Sequence, residues 1–409
     1  SLLYIVIGVY NLPDFPHRRH HFISFFLFPS EKIWFSGLLA IIAVSFMIVL
    51  FVHFLQGEKK QIGEAFNEEK ALKILTTYGG NSDSQLIFLK DKRMFAYEKD
   101  GEPTVLLQFA CFNNKCIVMG DPSGKKEDFP EAIEAFIEET DRLCYLPVFY
   151  ETSEEIVMIL HEFGYDFIKM GEEAYVDLNS FTTSGKKMKG TRAVLNRIER
   201  EGFTFDVLQP PFSTEQMSTF KNISDNWLGS RKEKGFSLGF FSEDYLQRAP
   251  IAVVKNTQEE IVAFATIMPT YTNNKVGTID LMRYDSKKAP SGSMDFLFLH
   301  LFAYMKEEHI QWFNLGMAPL SNVGTSRKSF LQERIAYLVY EFGSHFYSFH
   351  GLREYKSKYA TNWVSRYTLY SRDSWIAYVM IALLIIDNAP VEQTQGRISG
   401  LKKWIRRKY

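Results

Sequence analysis

From residue 34 to residue 55 the chain carries no Asp, Glu, Lys or Arg. A bilayer core of about 30 Å needs roughly 20 helical residues. This uncharged run of 22 residues, with Lys32 before it and Glu58, Lys59 and Lys60 after it, therefore reads as a transmembrane helix. A buried core helix of that length would keep a polar face. Trp34 takes an interfacial position. Residues 1–10 are apolar from the first position and lack a basic n-region, so they read as the end of a preceding membrane helix, not as a signal peptide. The chain then reads as a piece of a longer protein. Arg18, Arg19 and Lys32 in the intervening loop do not decide orientation against the basic residues on the other flank.

From about residue 64 the pattern becomes mixed helix and strand. Apolar residues are 46% and charged residues 23%, which excludes wholesale disorder. Lys plus Arg (47) nearly balances Asp plus Glu (48), so no global positive field exists and nucleic-acid binding must come from local patches. Three cysteines make no disulfide framework, and the nine histidines show no zinc-ligand spacing. Periodicity and turn residues predict helices at 65–78, 131–143 and 153–163, with strands at 86–89, 94–98, 105–111, 116–120, 148–151, 167–170 and 173–177. The order then recurs. Helices are expected at 185–201, 214–228, 294–308 and 329–342, and strands at 204–208, 251–255, 261–270, 275–284, 312–316 and 363–370. Two successive α/β units fit this order, without a strict sequence repeat.

Four segments carry possible chemistry. In 275–298 a strand bearing Asp280 and Arg283 leads through a loop with Pro290 and Gly292 into a helix, a layout that offers backbone N–H groups to an anion. Three residues apart on a regular strand, Asp280 and Arg283 face opposite ways, so one shared site requires a bulge or a strand end. At 313–324 a strand ends in the polar residues Asn314, Ser321 and Asn322; no nucleophile elbow surrounds Ser321. At 350–359 Arg353, Lys356 and Lys358 alternate with Tyr355 and Tyr359, a pattern suited to phosphate, a base or an acyl chain, or to a solvated charged loop. At 185–201 Lys186, Lys187, Lys189, Arg192, Arg197 and Arg200 make a locally basic helix for an RNA backbone or anionic headgroups, or a solvated face. Residues 375–386 are apolar but too short to span, so they pack on the body or lie in an interface. Residues 396–409 hold six basic residues, no acid, and Leu401, Trp404 and Ile405, a basic amphipathic segment for an anionic membrane surface.

The runs YGGNSDSQLIFLKDKRMFAY, MGDPSG, KGTRAVLNRIEREGF, EKGFSLGFFSEDYL, IDLMRYDSKKAPSGSMDFLF, FNLGMAPLSNVG and GLREYKSKY together resemble the C-terminal part of the bacterial phosphatidylglycerol lysyltransferases, the multiple peptide resistance factors. The resemblance covers essentially the whole chain. It implies an α/β fold of tandem GNAT-like acyltransferase units joined by a basic helix and preceded by a transmembrane helix. The implied divisions are 1–60 (membrane segment, helix 34–55), 61–184 (first unit), 185–202 (basic linker), 203–372 (second, catalytic unit) and 373–409 (membrane-associating end). The implied reaction moves a lysyl group from Lys-tRNA to a glycerol hydroxyl of phosphatidylglycerol, which makes the lipid cationic and repels cationic antimicrobial peptides. No cofactor and no metal are implied. The sequence KKAPSGSM after the 275–284 strand lacks an acetyl-CoA pyrophosphate loop, which fits a tRNA donor.

The resemblance also implies partners and site residues. The family's D-L-M-R motif falls on Asp280 and Arg283. Asp280 would act as base or hold the lysyl α-amine, and Arg283 would orient it or bind phosphate. The family's basic motif falls on Lys356 and Lys358, which would stabilise negative charge. Glu233 is a candidate for the aminoacyl ammonium group. Tyr284, Asn314, Ser321 and Arg353 are further substrate-binding candidates, and Lys187, Lys189, Arg192 and Arg197 are candidates for tRNA or lipid phosphate. Expected partners are Lys-tRNA, phosphatidylglycerol, the membrane, the N-terminal flippase part of a full-length protein and, as an open option, a second copy in a homo-oligomer. The expected location is the bacterial cell membrane, multi-pass in the full-length protein, with the catalytic part in the cytoplasm. Three alternatives stand beside this reading: alanyl transfer to the same lipid, a Fem-type peptidyltransferase acting on the peptidoglycan precursor, and a membrane-tethered binding module without activity.

Overall fold

The computed structural model describes residues 31–55, 61–273, 275–324, 326, 328–335 and 349–389. The expected membrane segment at 1–10, the second half of the helix at 329–342 and the basic segment at 396–409 lie outside the described residues. The chain divides into two compact units, Ser1–Gln61 and Ile62–Tyr409.

In the first unit one helix is described, α1 (Glu31–Leu55). Its side chains from 37 to 51 carry an exposed apolar run that includes Leu39, Ile42, Phe46, Met47, Val49 and Phe51. Among the described residues no helix is long and apolar enough to cross a membrane. The span expected at 34–55 falls on this helix, whose described side chains are apolar and mostly exposed.

The second unit is built on one twelve-stranded sheet. Its first part contains α2 (Glu68–Tyr78), β1 (Arg93–Lys99), β2 (Glu102–Phe112), β3 (Lys115–Met119), the short β4 (Ser123–Gly124), α3 (Phe129–Arg142), β5 (Leu146–Thr152), α4 (Glu154–Glu162) and β6 (Tyr165–Asp177). The basic helix α5 (Lys189–Arg200) follows. The later part contains β7 (Thr204–Leu208), α6 (Thr214–Leu228), α7 (Glu243–Leu246), β8 (Ile251–Lys255), β9 (Ile261–Met268), β10 (Val276–Tyr284), α8 (Ser293–Glu307), β11 (Trp312–Pro319), α9 (Phe349–Lys356), β12 (Asn362–Ser371) and α10 (Ile376–Asp387). The strand order is β1-β2-β3-β5-β12-β6-β11-β10-β9-β8-β7, with β4 beside β2.

The duplication is visible in this order. Each part has an antiparallel meander and then one parallel pair closed by a helix: β3-α3-β5 and β10-α8-β11. A parallel pair needs such a crossover because no tight turn can reverse the chain twice. The last strands are exchanged between the parts. β12 lies beside β5, while β6 lies beside β11, and β6 and β12 pair with each other from Asn362↔Tyr175 to Ser371↔Tyr165. Three buried clusters support the sheet. One contains Phe109, Phe136 and Phe149 under α3 and α4, one contains Phe298, Phe302 and Phe313 under α8, and the third joins α6, α10 and the buried segment 84–89.

Two elements differ from expectation for clear reasons. The run 86–89 is not a strand but part of a 3-10 helix, Ser84–Leu89, whose six residues are all buried. A short continuous apolar run carries no period to separate strand from helix. The two strands expected at 167–170 and 173–177 are one long strand, because β12 pairs with it on both sides of a bulge at Met170. Cys111 and Cys116 face each other across the β2–β3 hairpin and form a disulfide, a single local bridge; Cys144 is free and exposed.

Candidate active site

The parallel pair β10–β11 holds together for only three residues, from Val276↔Trp312 to Thr278↔Asn314. Beyond them the strands separate, and a cavity of about 340 Å³ occupies the split. Ile279 and Asp280 line it from β10, and Asn314, Leu315, Gly316 and Met317 from β11. Tyr150 and Glu151 reach it from the end of β5, Asp83 from the loop after α2, Lys356 from α9, and Leu384, Asp387 and Asn388 from α10. Ligands commonly bind beyond the carboxyl ends of parallel strands, where neighbouring connections diverge.

Each wall residue is positioned by identifiable contacts. The ladder between β10 and β9 shifts register between Ile279 and Met282. This bulge puts Asp280 and Arg283 on the same side of the sheet, the side of α6 and α7. Asp280 accepts hydrogen bonds from the Gly239 N–H (2.8 Å) and the Tyr245 hydroxyl (3.0 Å). A Cβ on Gly239 would fall on the Asp280 carboxylate, so this approach requires glycine. Arg283 pairs with Glu233 at 3.1 Å and stacks on Trp227 at 3.9 Å. Glu233 in turn accepts from the Phe241 N–H (3.3 Å). Arg283 and Glu233 thus pin the 233–241 loop whose Gly239 holds Asp280, and neither lines the cavity.

On the opposite wall, Gly316 (φ 80°) turns β11 outward, and its N–H donates to Asn314 Oδ1 at 2.7 Å. Asn314 donates through Nδ2 to Glu173 (2.6 Å) and to Ser82 (2.9 Å). Glu173 also accepts from the Tyr175 hydroxyl (3.0 Å) and from Arg366 (Nε 2.7 Å). Lys356 donates to the Met317 carbonyl at 2.7 Å. Asp387 accepts from Ser237 Oγ at 2.8 Å.

The cavity is acidic. Its lining holds Asp83, Glu151, Glu173, Asp280 and Asp387 against Lys234 and Lys356. Burial, with help from Glu173, pushes Asp83 up to about 7. Burial also raises Glu151 well above the usual carboxylate range, raises Asp280, and lifts Asp387 to about 6. The same burial lowers Lys356 to about 8. Carboxyl groups crowded into a dry site resist ionisation until a cation joins them. Glu151 is held at φ 61°, a backbone conformation rare for a side chain of its size. A wider groove of about 1260 Å³ meets the cavity at Ser82, Asp83 and Met268. It is bordered by the 78–81 loop, residues 121–127 and residues 269–273 and 275.

Of the residues singled out in the sequence, the structure brings Asp280, Asn314 and Lys356 to one cavity. Arg353 and Ser321 sit in an adjoining network on Glu172: Arg353 Nη2 pairs with it at 2.6 Å and Ser321 Oγ donates to it at 3.1 Å. That network anchors α9 one turn before Lys356. Lys358 lies over the Tyr355 ring and pairs with Asp295 at 3.6 Å. Tyr284 is exposed at the end of β10. Lys187 in the turn before α5 and Lys189 at its start are exposed; on α5, Arg192 donates to the Gly185 carbonyl (2.9 Å) and Arg197 to the Ser291 carbonyl ahead of α8. The sequence reading passed over Asp83, Glu151, Glu173 and Asp387. Two of them carried a faint signal: Asp83 in the polar run GGNSDS and Glu151 as the acid ending the apolar run LPVFY.

Comparison with known proteins identifies the family and the fold. The family described as phosphatidylglycerol lysyltransferase, C-terminal, matches over residues 72–370. A phosphatidylglycerol lysyltransferase of Bacillus subtilis is 45% identical over 357 residues, covering 87% of this chain and 41% of its own length. One from Staphylococcus aureus is 39% identical over 341 residues, covering 83% of this chain and 40% of its own. The chain thus spans about two fifths of the length of these curated relatives. The solved structure of L-PGS from Bacillus licheniformis is similar with a TM-score of 0.71 and 48% identity, over 80% of this chain and 99% of that one. A C-terminal domain from Agrobacterium fabrum follows at 0.69 and 32%, over 78% and 96%.

Proposed function

Since the chain belongs to the C-terminal family of the phosphatidylglycerol lysyltransferases, we propose that it transfers a lysyl group from Lys-tRNA to a glycerol hydroxyl of phosphatidylglycerol. The single observation that carries the reading is the acidic cavity in the β10–β11 split. A lysyl ester bears two ammonium groups, and five carboxyl groups around one small cavity suit a dication. The groove meeting the cavity at Asp83 suits the acceptor end of the tRNA, so that the ester carbonyl lies where the two spaces join.

The donor ester is already activated, so the protein needs to orient it, move one proton and stabilise one oxyanion. The lipid hydroxyl oxygen bonds to the ester carbonyl carbon, the bond to the ribose oxygen breaks, and the hydroxyl proton ends on that ribose oxygen. Asp280, fixed by Gly239 and Tyr245, holds the α-ammonium group. Asp83, lifted to about 7, is the carboxyl best matched to accept and return a proton near neutral pH. Lys356 offers its ammonium to the oxyanion from the other wall. Arg283, Glu233, Arg353 and Ser321 position these groups, and Lys358 holds the end of α9. Lys187 just before α5 and Lys189 at its first position present exposed charge for tRNA or lipid phosphate. The membrane, the flippase part of a full-length protein and the cytoplasmic side are the proposed setting.

The test incubates the protein in phosphatidylglycerol vesicles with radiolabelled Lys-tRNA and, separately, Ala-tRNA, followed by lipid extraction. Label in the lipid from Lys-tRNA alone is expected. Label from Ala-tRNA moves the donor while keeping the mechanism. Label in a lipid-linked peptidoglycan precursor instead points to the Fem-type reaction. No label in either, from folded protein, leaves a binding role.

A further inference from the structure

The C-terminal helix α10 has no polar side. From Trp375 to Ile386 there is no charged residue. Its inner face (Ile376, Val379, Met380, Leu383 and Ile386) is buried in the cluster that includes Leu106, Ile117 and Met119 of β2 and β3. Its outer face shows Trp375 and Tyr378 at 62% exposure each, with Ile381 at 42% and Ile385 at 41%. Spacings of three, three and four residues place these four on one stripe. A contiguous apolar stripe of this kind on a surface marks an interaction site. The same helix ends inside the candidate active site, where Leu384, Asp387 and Asn388 line the cavity. Asp387 accepts from Ser237 in the loop that fixes Asp280 through Gly239. Leu238, between these two loop residues, lines the cavity and is also 52% exposed.

We propose that the outer stripe of α10, Trp375-Tyr378-Ile381-Ile385, docks in the interfacial layer of an anionic lipid bilayer and sets the cavity mouth at Leu238 and Asn388 against that bilayer. The inference deepens the proposed function and rests on its reading that the acceptor is a membrane lipid. Three observations favour a bilayer as the occupant. The helix is about 18 Å long at 1.5 Å per residue, too short to span and suited to lie in the plane of the interface. Its first turns present Trp and Tyr, whose rings combine an apolar body with a polar tip and favour the headgroup level. Around the start of α10 charge is balanced, Arg372 and Lys115 against Asp166 and Asp373, and the cationic excess that suits anionic lipid lies farther along the chain. Lys115 is buried beside the start of α10, donates to Ser374 Oγ at 3.0 Å and has no carboxylate within ion-pair distance among the described residues. Farther along the chain, residues 396–409 carry six cations and no acid. The cavity wall behind the stripe then receives a lipid headgroup from the same side on which the helix is seated.

The experiment places an environment-sensitive fluorophore at Tyr378→Cys in the full chain carrying Cys144→Ser, and in a control with the probe at Gln258→Cys in the exposed β8–β9 turn. Vesicles of phosphatidylglycerol and of phosphatidylcholine, with and without a quencher on the lipid chains, are then added. Strong lipid-chain quenching, about threefold or more, is expected at position 378 with phosphatidylglycerol and none at 258. In parallel, the triple variant Trp375→Ser, Tyr378→Ser and Ile381→Ser is assayed for transfer. Its ratio of activity on vesicles to activity on dispersed short-chain phosphatidylglycerol is expected to fall about tenfold. A probe at 378 that stays in water while the protein is bound to vesicles overturns the proposal. So does a probe already shielded without lipid, whether at all concentrations (covered by the chain itself) or only at high concentration (covered by a second copy). An unchanged vesicle-to-dispersed ratio also overturns it. A quenched probe with no lipid aminoacylation by the unmodified chain would refute the proposed reaction and leave the docking surface standing.

Discussion

The two parallel crossovers share one topology and do different work. β3 and β5 stay paired over five residues, from Lys115↔Leu146 to Met119↔Tyr150, and the Gly120 N–H closes the pair on the Tyr150 carbonyl at 2.8 Å. β10 and β11 part after three. The closed pair is filled by Phe136, Phe149 and their neighbours, and the open one by a cavity. The contrast shows that the site arises from where a strand pair stops pairing. A bulge at 279–282 on one strand and Gly316 on the other end the ladder early. The closed unit is not idle, because Glu151 at the tip of β5 and Asp83 on the preceding loop complete the acidic wall.

The largest effect that tests this contrast is expected at the open pair. Asp280→Ala should lower lysyl transfer by about 100-fold or more, and Asp280→Asn should recover little, because the ammonium loses its counter-charge. Near-normal transfer by Asp280→Ala would remove the open pair from the chemistry. Lys356→Met comes next, with an expected loss of about 30-fold in kcat and a smaller change in KM, measured at saturating Lys-tRNA. A change confined to KM would make Lys356 a binding group only.

The pH profile sharpens the comparison because its two limbs come from different parts of the sheet unit. Transfer needs Asp83 ionised to take a proton, so the rate should rise with pH through about 7. It needs Lys356 protonated, so the rate should fall again above about 8. Asp83→Asn should abolish the acid limb and Lys356→Arg should move the alkaline one upward. Arg283→Lys is expected to cost about tenfold, since lysine can neither stack on Trp227 as a plane nor reach Glu233 in the same geometry. As a positioning change it should leave the pH limbs in place.

The smallest effect is one of stability. Burial raises Glu151 above its unfolded value, so its charged form is disfavoured in the fold. The sign follows from linkage. The unfolded chain ionises this group within the ordinary carboxylate range while the folded one keeps it protonated to higher pH, so the group makes the fold less stable as pH rises above that range. Glu151→Gln should therefore raise Tm by a few degrees at pH 7.5 and hardly at all near pH 4. A lowered Tm at pH 7.5 would show that Glu151 is held by an ion pair instead.

Much of the secondary structure was legible because local periodicity is a short-range property. The helices at 131–143 and 214–228 and the meander strands of the second unit fall close to α3, α6 and β8 to β10. The buried turn at 84–89 was not, since an unbroken apolar run has no period. Asp280, Asn314 and Lys356 were legible as members of ordered motifs. Asp83, Glu151 and Asp387 were not, because each is a single acid whose importance comes from burial beside acids far away in sequence.

By itself, then, the sequence determined the alternation of helix and strand, the duplicated order, the basic linker and the family. These rest on local patterning and on motif order, which need no third dimension. Only the tertiary structure decided that β6 and β12 change places, that β10 and β11 part, and that five acids meet around one cavity. Those outcomes depend on which strand ends stay paired and which side chains lose water together. Both are settled by contacts between segments that lie up to about 300 residues apart in the chain.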